Sequence, residues 1–324
     1  MVESLGVLDY ELAIELFLAS ALFWVLVVLV IRIFSIKDAV WRIRFFLLPI
    51  MVPLVVIPSV HLIVHFHLLW FIHPFIERFL TSSVHLAPLV YVIFFGLAGV
   101  AMIIGVTCSV LPLVIALRYQ WIARHRYQES FQLTRCNRIA ASLASRLRIP
   151  APKIILTPKD TCSSFYLNKF WSYVIVSKNL VPALDDEELE GLLAHELGHI
   201  KRHDTLLGAI VSVCYHLLSF SPFCHLAYRD FIRAREEATD DLAVQVSGLP
   251  LALASCLVKA YGLSKGYLQL LPVNVSLLSS GTVYERITRL LNTTPTGTIG
   301  SRKGLILIFS AVIVLGSSLL LYFT

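Results

Sequence analysis

The chain has 324 residues, of which 57% are hydrophobic and 15% charged, whereas a soluble domain carries roughly 25% charged residues. The apolar residues gather in long uncharged runs, which excludes a wholly soluble protein and predicts that part of the chain lies in lipid. The net charge of +6 does not point to nucleic acid, because the basic residues flank apolar runs, and six cysteines without a CxxC pair exclude a disulfide framework or a cysteine-rich zinc finger.

Glu3, Asp9, Glu11 and Glu15 precede the first apolar run, where a cleavable signal would carry Lys or Arg, so that run is expected to stay as an anchor. It covers residues 12–31, close to the roughly 20 needed to cross the hydrocarbon core as a helix. Glu15, inside this run, is a stronger functional candidate than a random surface acid, although near the outer end it is also within reach of water. From Phe45 to Ile76 there is no acid, Lys or Arg, but Pro49, Pro53, Pro58 and Pro74 predict one span over about 45–66 followed by an irregular outer segment. A third span is expected at 88–117 and a last one at 304–324. His61, His65, His67, His73 and His85 lie near the outer ends of spans two and three. His61 and His65 have metal-ligand spacing, although packing or hydration is the plainer reading of such residues.

Lys and Arg collect at Arg32, Lys37, Arg42 and Arg44, at Arg118, Arg124 and Arg126, and at Arg302 and Lys303. Basic flanks mark the cytoplasmic side, so the N-terminus is expected outside, residues 119–303 in the cytoplasm and Thr324 outside, in a plasma (inner) membrane. The expected fold is therefore a mainly α integral membrane protein with four transmembrane helices. Three of them form an N-terminal membrane domain, residues 1–118, and a cytoplasmic α+β domain, residues 119–303, is inserted before the last span.

Within that domain, Leu133, Cys136, Ile139, Ala140, Leu143 and Leu147 recur at helical spacing, and Ile154 to Leu156 and Tyr173 to Val176 read as short strands. Ser172 to Val181 is expected to be an edge strand able to bind an extended substrate. A helix follows: Pro182 precedes it, Asp185 with Glu188 three residues later forms a capping box, and Leu189, Leu192, Leu193 and Leu197 make its apolar stripe.

That helix carries His195-Glu196-Leu197-Gly198-His199, an HExxH motif whose spacing of four puts both imidazoles on one face, able to hold one zinc ion per chain. Glu196 is then the expected base, taking a proton from metal-activated water during hydrolysis of a peptide bond. His203, His225 and Tyr228 are candidates for stabilising the oxyanion. A catalytic zinc needs a third protein ligand. Ten residues after His195 stands Thr205 instead of the third histidine of a metzincin, and His203 has the wrong spacing. A carboxylate from residues 234–241 is the better candidate. Glu236 with Asp240 is the preferred pair, one on the metal and one behind an imidazole, although Glu237 and Asp241 share the spacing. The uncharged run from Thr205 to Tyr228 is long enough to cross the membrane once, but one crossing would separate Glu236 from His195 and His199. It is expected to be re-entrant or buried, with Ser219, Ser221 and Pro222 at the bend.

Residues 194–204, Ala-His-Glu-Leu-Gly-His-Ile-Lys-Arg-His-Asp, then Ser221-Pro222-Phe223, Arg235-Glu236 and Asp240-Asp241-Leu242-Ala243-Val244 carry a family resemblance, which extends over about residues 150–292. They resemble membrane-embedded gluzincin proteases of the BlaR/MecR antirepressor type, with relatives of the HtpX and CAAX-prenyl protease kind. Glu285-Arg286-Ile287 and Arg289-Leu290-Leu291 are similar to the family's later helix. The stretch from Ser163 to Leu180 is more similar to the HtpX branch, with Ser163-Ser164-Phe165 in place of its usual Asn-Ala-Phe. The antirepressor type has an extracellular ligand-binding domain after its last span, so with the sequence ending at Thr324 direct beta-lactam sensing is not expected. The resemblance implies a zincin-like metalloprotease domain with His195, His199 and Glu236 as ligands, Glu196 as base and Asp240 as the residue behind a ligand. The expected partners are a protein or peptide substrate and the lipid bilayer, with no nucleic acid. The alternative is a signal-transducing receptor or scaffold that retains the fold.

Overall fold

The computed structural model describes residues 2–68, 131–157, 163–166, 172–264, 280–292 and 302–323. They are mainly helical, with one small sheet. The chain divides into two compact units: residues 1–110, 210–231 and 299–324 form the first, and 111–209 with 232–298 form the second.

In the first unit, helix α1 (Val2–Ile33) and helix α2 (Ala39–Leu68) cover the expected spans at 12–31 and 45–66. The stretches Ile14–Ile33 and Ala39–Ile57 are long and apolar enough to cross a membrane. Asp38 starts α2 by accepting the amide N–H groups of Val40 and Trp41 at 2.8 and 3.2 Å, two donors that a helix start leaves unpaired. Pro49, Pro53 and Pro58 do not end α2. Pro49 and Pro53 are four apart, so their missing donors fall on one face and the ladder continues on the others. The expected third span, 88–117, and the irregular segment after Leu68, with Pro74, His73 and His85, lie outside the described residues.

The last helix of the chain, α9 (Arg302–Phe323), meets both others: Phe309 packs edge-on to Phe45 at 5.4 Å and to Trp41 at 6.1 Å. At Gly316 an added Cβ would lie 2.5 Å from Cε1 of Phe23, so the glycine admits the α1 ring. Residues 210–231 complete this unit. They run from α5 (Asp204–Leu217) into α6 (Pro222–Ser247), and the turn between them holds Ser219 and Ser221, with Pro222 opening α6. Phe17 and Trp24 of α1 pack on Phe223 at 5.7 and 5.8 Å, and the buried Ser20 and Ser221 hydroxyls are 2.5 Å apart.

In the second unit, α3 (Phe131–Leu147) buries Leu133, Cys136, Ala140, Leu143, Ala144 and Leu147, the face its sequence periodicity predicts. That face packs on β1 (Lys153–Thr157) and on the central helix α4 (Asp186–Arg202). Leu189, Leu193 and Leu197 of α4 are fully buried in the same core. Gly191 lets α7 (Pro250–Ser264) approach, since an added Cβ would be 3.2 Å from the Leu253 backbone. The last helix of this unit, α8 (Ser280–Leu291), packs on α7.

The sheet corrects one expectation. Its order is β1-β3-β2, with β3 (Ser172–Ser177) parallel to β1 and antiparallel to β2 (Ser163–Tyr166), so β3 is the middle strand and not the edge. All six β3 residues are buried. A strand apolar on both faces is covered on both faces, and the run Tyr173-Val174-Ile175-Val176 has that pattern.

The capping box of α4 is closed: the Glu188 amide donates to Asp185 at 2.8 Å and the Asp185 amide to Glu188 at 3.0 Å. The other Glu188 contacts are Ser255 Oγ and Lys259 Nζ, each at 2.6 Å, which tie the start of α4 to α7. Asp185→Ala is expected to lower the stability of the folded chain by about 1 kcal/mol without changing its secondary structure, read as an earlier denaturation midpoint at unchanged helix content.

Candidate metal centre

One turn apart on α4, His195 and His199 present their rings edge to face at 4.8 Å between centroids, with the two Nε2 atoms 3.2 Å apart. Each ring turns its other nitrogen to a buried carboxylate. His195 Nδ1 lies 2.9 Å from Asp240 Oδ1, and His199 Nδ1 lies 2.8 Å from Asp204 Oδ2. An Nδ1–H donating to a carboxylate leaves the Nε2 lone pair free, so both lone pairs point at the same place.

Glu236 arrives there from α6. Its Oε2 is 3.6 Å from His195 Nε2 and 3.8 Å from His199 Nε2. Close approach of α6 to α4 depends on Gly198, where an added Cβ would stand 2.9 Å from Thr239 Cγ2. The Thr239 hydroxyl then lies 2.9 Å from Arg235 O and 3.3 Å from Asp204 Oδ2, two acceptors that share its one proton.

These distances suit a zinc ion. For bonds of about 2.0–2.2 Å, the edge of a zinc tetrahedron is about 3.3–3.6 Å, and the three donor separations scatter around that length. A second feature fits as well: Oε2 of Glu196 is buried and has no hydrogen-bond partner among the described residues. A buried carboxylate oxygen left unpaired is costly, and a metal-bound water beside the three donors would satisfy it.

Of the residues singled out from sequence, His195, His199, Glu236 and Asp240 come together. Glu237 is engaged elsewhere, 3.3 Å from Arg233 Nε, and Asp241 accepts two bonds from Arg289 Nη2 at 2.6 and 2.7 Å. His203 caps α4 in a left-handed conformation. His225 and Tyr228 make their described contacts within the first unit. Tyr215 donates its hydroxyl to His225 Nδ1 at 2.7 Å while His225 Nε2 donates to Ser219 O at 2.8 Å, and Tyr228 stacks on Tyr215 at 4.2 Å. His61 and His65 lie one turn apart on α2, and Glu15 is half-buried on α1.

Three contributors were not assigned a role from sequence. Asp204 follows the left-handed His203, and α5 starts with its carboxylate against His199. The HExxH spacing gives no signal for it, because α4 ends before the next turn. Arg286 on α8 holds Asp240 with two bonds of 2.7 and 2.8 Å, and Arg235 sits 3.3 Å from Glu236 Oε1. Arg286 is 46 residues from its partner, beyond the reach of any local pattern.

Burial penalises charge throughout this cluster, yet the carboxylates stay ionised. At Glu236 the burial penalty is more than offset by His199, His195, Arg286 and Arg235, which hold its carboxyl well below the usual range. At Asp240, Arg286 and His195 outweigh burial and bring the pKa down to about 2. Asp204 is lowered against burial by His199 and Arg202. His195 is raised against burial to about 9 by Asp240 and Glu236. Where no metal is bound, the site thus draws in a proton, as a place built for a cation would.

The family model described as BlaR1 peptidase M56 matches residues 93–263. The chain is 26% identical over 175 residues to a Protease HtpX homolog of Methanopyrus kandleri, covering 44% of this chain and 55% of that protein. It is 30% identical over 174 residues to one of Thermococcus sibiricus, covering 42% and 60%, and 32% identical over 142 residues to one of Salinibacter ruber, covering 36% and 51%. The chain spans about half the length of these curated relatives.

The shifts set a pH window for the chain stripped of metal. The His195 contribution is complete below its ordinary 6.5 and is lost as pH rises through about 9, while that of Asp240 is complete above 3.8 and is lost as pH falls toward about 2. With chelator present, stability is expected to be flat between pH 4.5, the ordinary value of the depressed Glu236, and 6.5, and to fall toward pH 9. Saturating zinc should remove the alkaline fall, because binding needs a neutral imidazole. Denaturation midpoints against pH, with and without zinc, give the comparison.

Proposed function

This chain belongs to the BlaR1 peptidase M56 family, and we propose that it is a membrane-bound zinc-dependent endopeptidase that hydrolyses peptide bonds of membrane proteins or of a cytoplasmic regulatory protein. The observation that carries this reading is the convergence of the His195, His199 and Glu236 donors, together with the buried, unpaired Oε2 of Glu196, the residue next to His195 on α4. His195, His199 and Glu236 would hold the metal. When bound, zinc would polarise a peptide carbonyl and bring the pKa of its water toward about 7.

The chain's own groups do the rest. Glu196 takes the proton from the attacking water and delivers it to the leaving amine, a role for which its unpaired oxygen is available. Asp240 and Asp204 keep both imidazoles in the tautomer with free Nε2 and hold the rings in place. An extended substrate would add to the sheet at β2, an outer strand that packs against α4, with its backbone groups supplying hydrogen bonds and its side chains the selectivity. Four spans, a cytoplasmic metalloprotease domain and a re-entrant α5–α6 hairpin complete the proposal. What supports the hairpin is its composition: no Asp, Glu, Lys or Arg from Thr205 to Tyr228, with Ser219, Ser221 and Pro222 at the bend.

Glu196→Gln is expected to retain about one zinc per chain and to lose 10²- to 10⁴-fold in cleavage rate, roughly the contribution of a positioned general base. Proteomes of cells expressing the wild type and this variant should differ by cleavage products made only by the wild type. Loss of zinc from the variant, or full activity, would remove Glu196 from the role. For the membrane arrangement, reporter fusions at Lys201 and Arg229 should both read cytoplasm; opposite sides would rule out the re-entrant hairpin.

A further inference from the structure

The two oxygens of Glu236 have different surroundings. Oε2 faces the imidazoles and also lies 3.5 Å from Arg286 Nη1, while Oε1 is turned away, 3.3 Å from Arg235 Nη2. Adjacent residues on a helix point about 100° apart, so Arg235 can reach its neighbour only by folding its side chain back along α6. It does so into a restricted space. Its Nε is buried without a hydrogen-bond partner among the described residues, and its Nη1 lies where a side chain on α5 would begin: a Cβ added at Gly208 would be 2.9 Å from it.

Gly208 lies within α5, where glycine costs about 1 kcal/mol relative to alanine. The one described atom that an added Cβ would meet within 4 Å is the Arg235 guanidinium. An unpaired buried nitrogen and a glycine inside a helix are two independent departures from what stability alone favours, and they meet at one side chain. We propose that Arg235 is a positioning residue that holds Oε1 of Glu236 away from the metal so that the carboxylate binds through Oε2 alone, and that Gly208 exists to seat its guanidinium. Arg286 supports the same geometry from α8, holding Asp240 behind His195 and lying against Oε2. Monodentate binding by Glu236 leaves a fourth tetrahedral position for water, whereas a carboxylate free to turn would bind through both oxygens and crowd it.

This inference rests on the zinc reading, and the experiment separates the two. Full-length wild type, Gly208→Ala and Arg235→Gln are purified in detergent, and each is followed by thermal melting, by zinc competition against a chromophoric chelator and by the visible spectrum of the cobalt-substituted protein. The wild type should bind one zinc and show the intense bands of four-coordinate cobalt. Both variants should melt as folded proteins, bind zinc about 10- to 100-fold more weakly and show the weaker bands of a higher coordination number. Arg235→Lys should not restore the spectrum, because a single ammonium cannot take the place of a planar fork. If Arg235→Gln does not fold, Gly208→Ala decides alone, since it adds one methyl and raises helix propensity. Wild-type zinc affinity and an unchanged cobalt spectrum in folded Gly208→Ala overturn the inference while leaving the zinc reading intact. A wild type that binds no zinc overturns both.

Discussion

Two neutral imidazoles can serve one metal ion only if each keeps its other nitrogen protonated, and in a buried site that N–H needs a hydrogen-bond acceptor. Asp240 and Asp204 meet the requirement for His195 and His199. Each carboxylate then becomes a buried charge that must itself be compensated, because an isolated ion in the interior is far too costly. Arg286 covers Asp240 with two bonds, and Arg202 lies 3.2 Å from Asp204. Much of the second unit's architecture follows from this chain of compensation: α8 brings Arg286, α5 begins with Asp204, and α6 carries both Glu236 and Asp240.

The same elements are brought close by small residues at the crossings. Gly191 admits α7, Gly198 admits Thr239 of α6, and Gly208 admits the Arg235 guanidinium. On a helix that must bury polar groups at a fixed separation, an absent Cβ shortens the distance between backbones, and the side chains that cross it need less reach. Gly198 has a double setting, since it lies between the two histidines and also faces Thr239, whose hydroxyl bonds the carboxylate behind His199. Helix packing and the arrangement of the donors are therefore coupled at one residue.

Ion pairs also anchor α8 along α6. Glu285 meets Arg233 at 2.7 Å, Arg286 meets Asp240, and Arg289 meets Asp241 and the carbonyl of Glu237 at 3.1 Å. The outermost pairs are half-exposed and contribute little, with surface bridges worth about 0–1 kcal/mol, while the Arg286–Asp240 pair is buried and its disruption would leave an uncompensated charge. The docking of α8 is thus concentrated at the residue that also serves the site.

Local signals in the sequence determined what local geometry controls. Spacing of four put His195 and His199 on one helical face, Asp185 with Glu188 marked the start of that helix, and the period of Leu133 through Leu147 marked a buried stripe. Glu236 and Glu237 were equivalent by spacing, and the resemblance favoured Glu236; the choice of which faces the histidines is made by the approach of α6 to Gly198. The position of β3 is set by pairing that a short strand does not state in its own sequence, and its full apolar character is that of a middle strand, not of the expected edge. Asp204 and Arg286 were legible only in three dimensions. A left-handed break at His203 and 46 residues of intervening chain separate them from the groups they serve, and no periodic pattern spans a break between elements. Sequence periodicity reports which residues share one element's face; which faces meet is decided by how the elements pack and by the charges that burial obliges them to compensate.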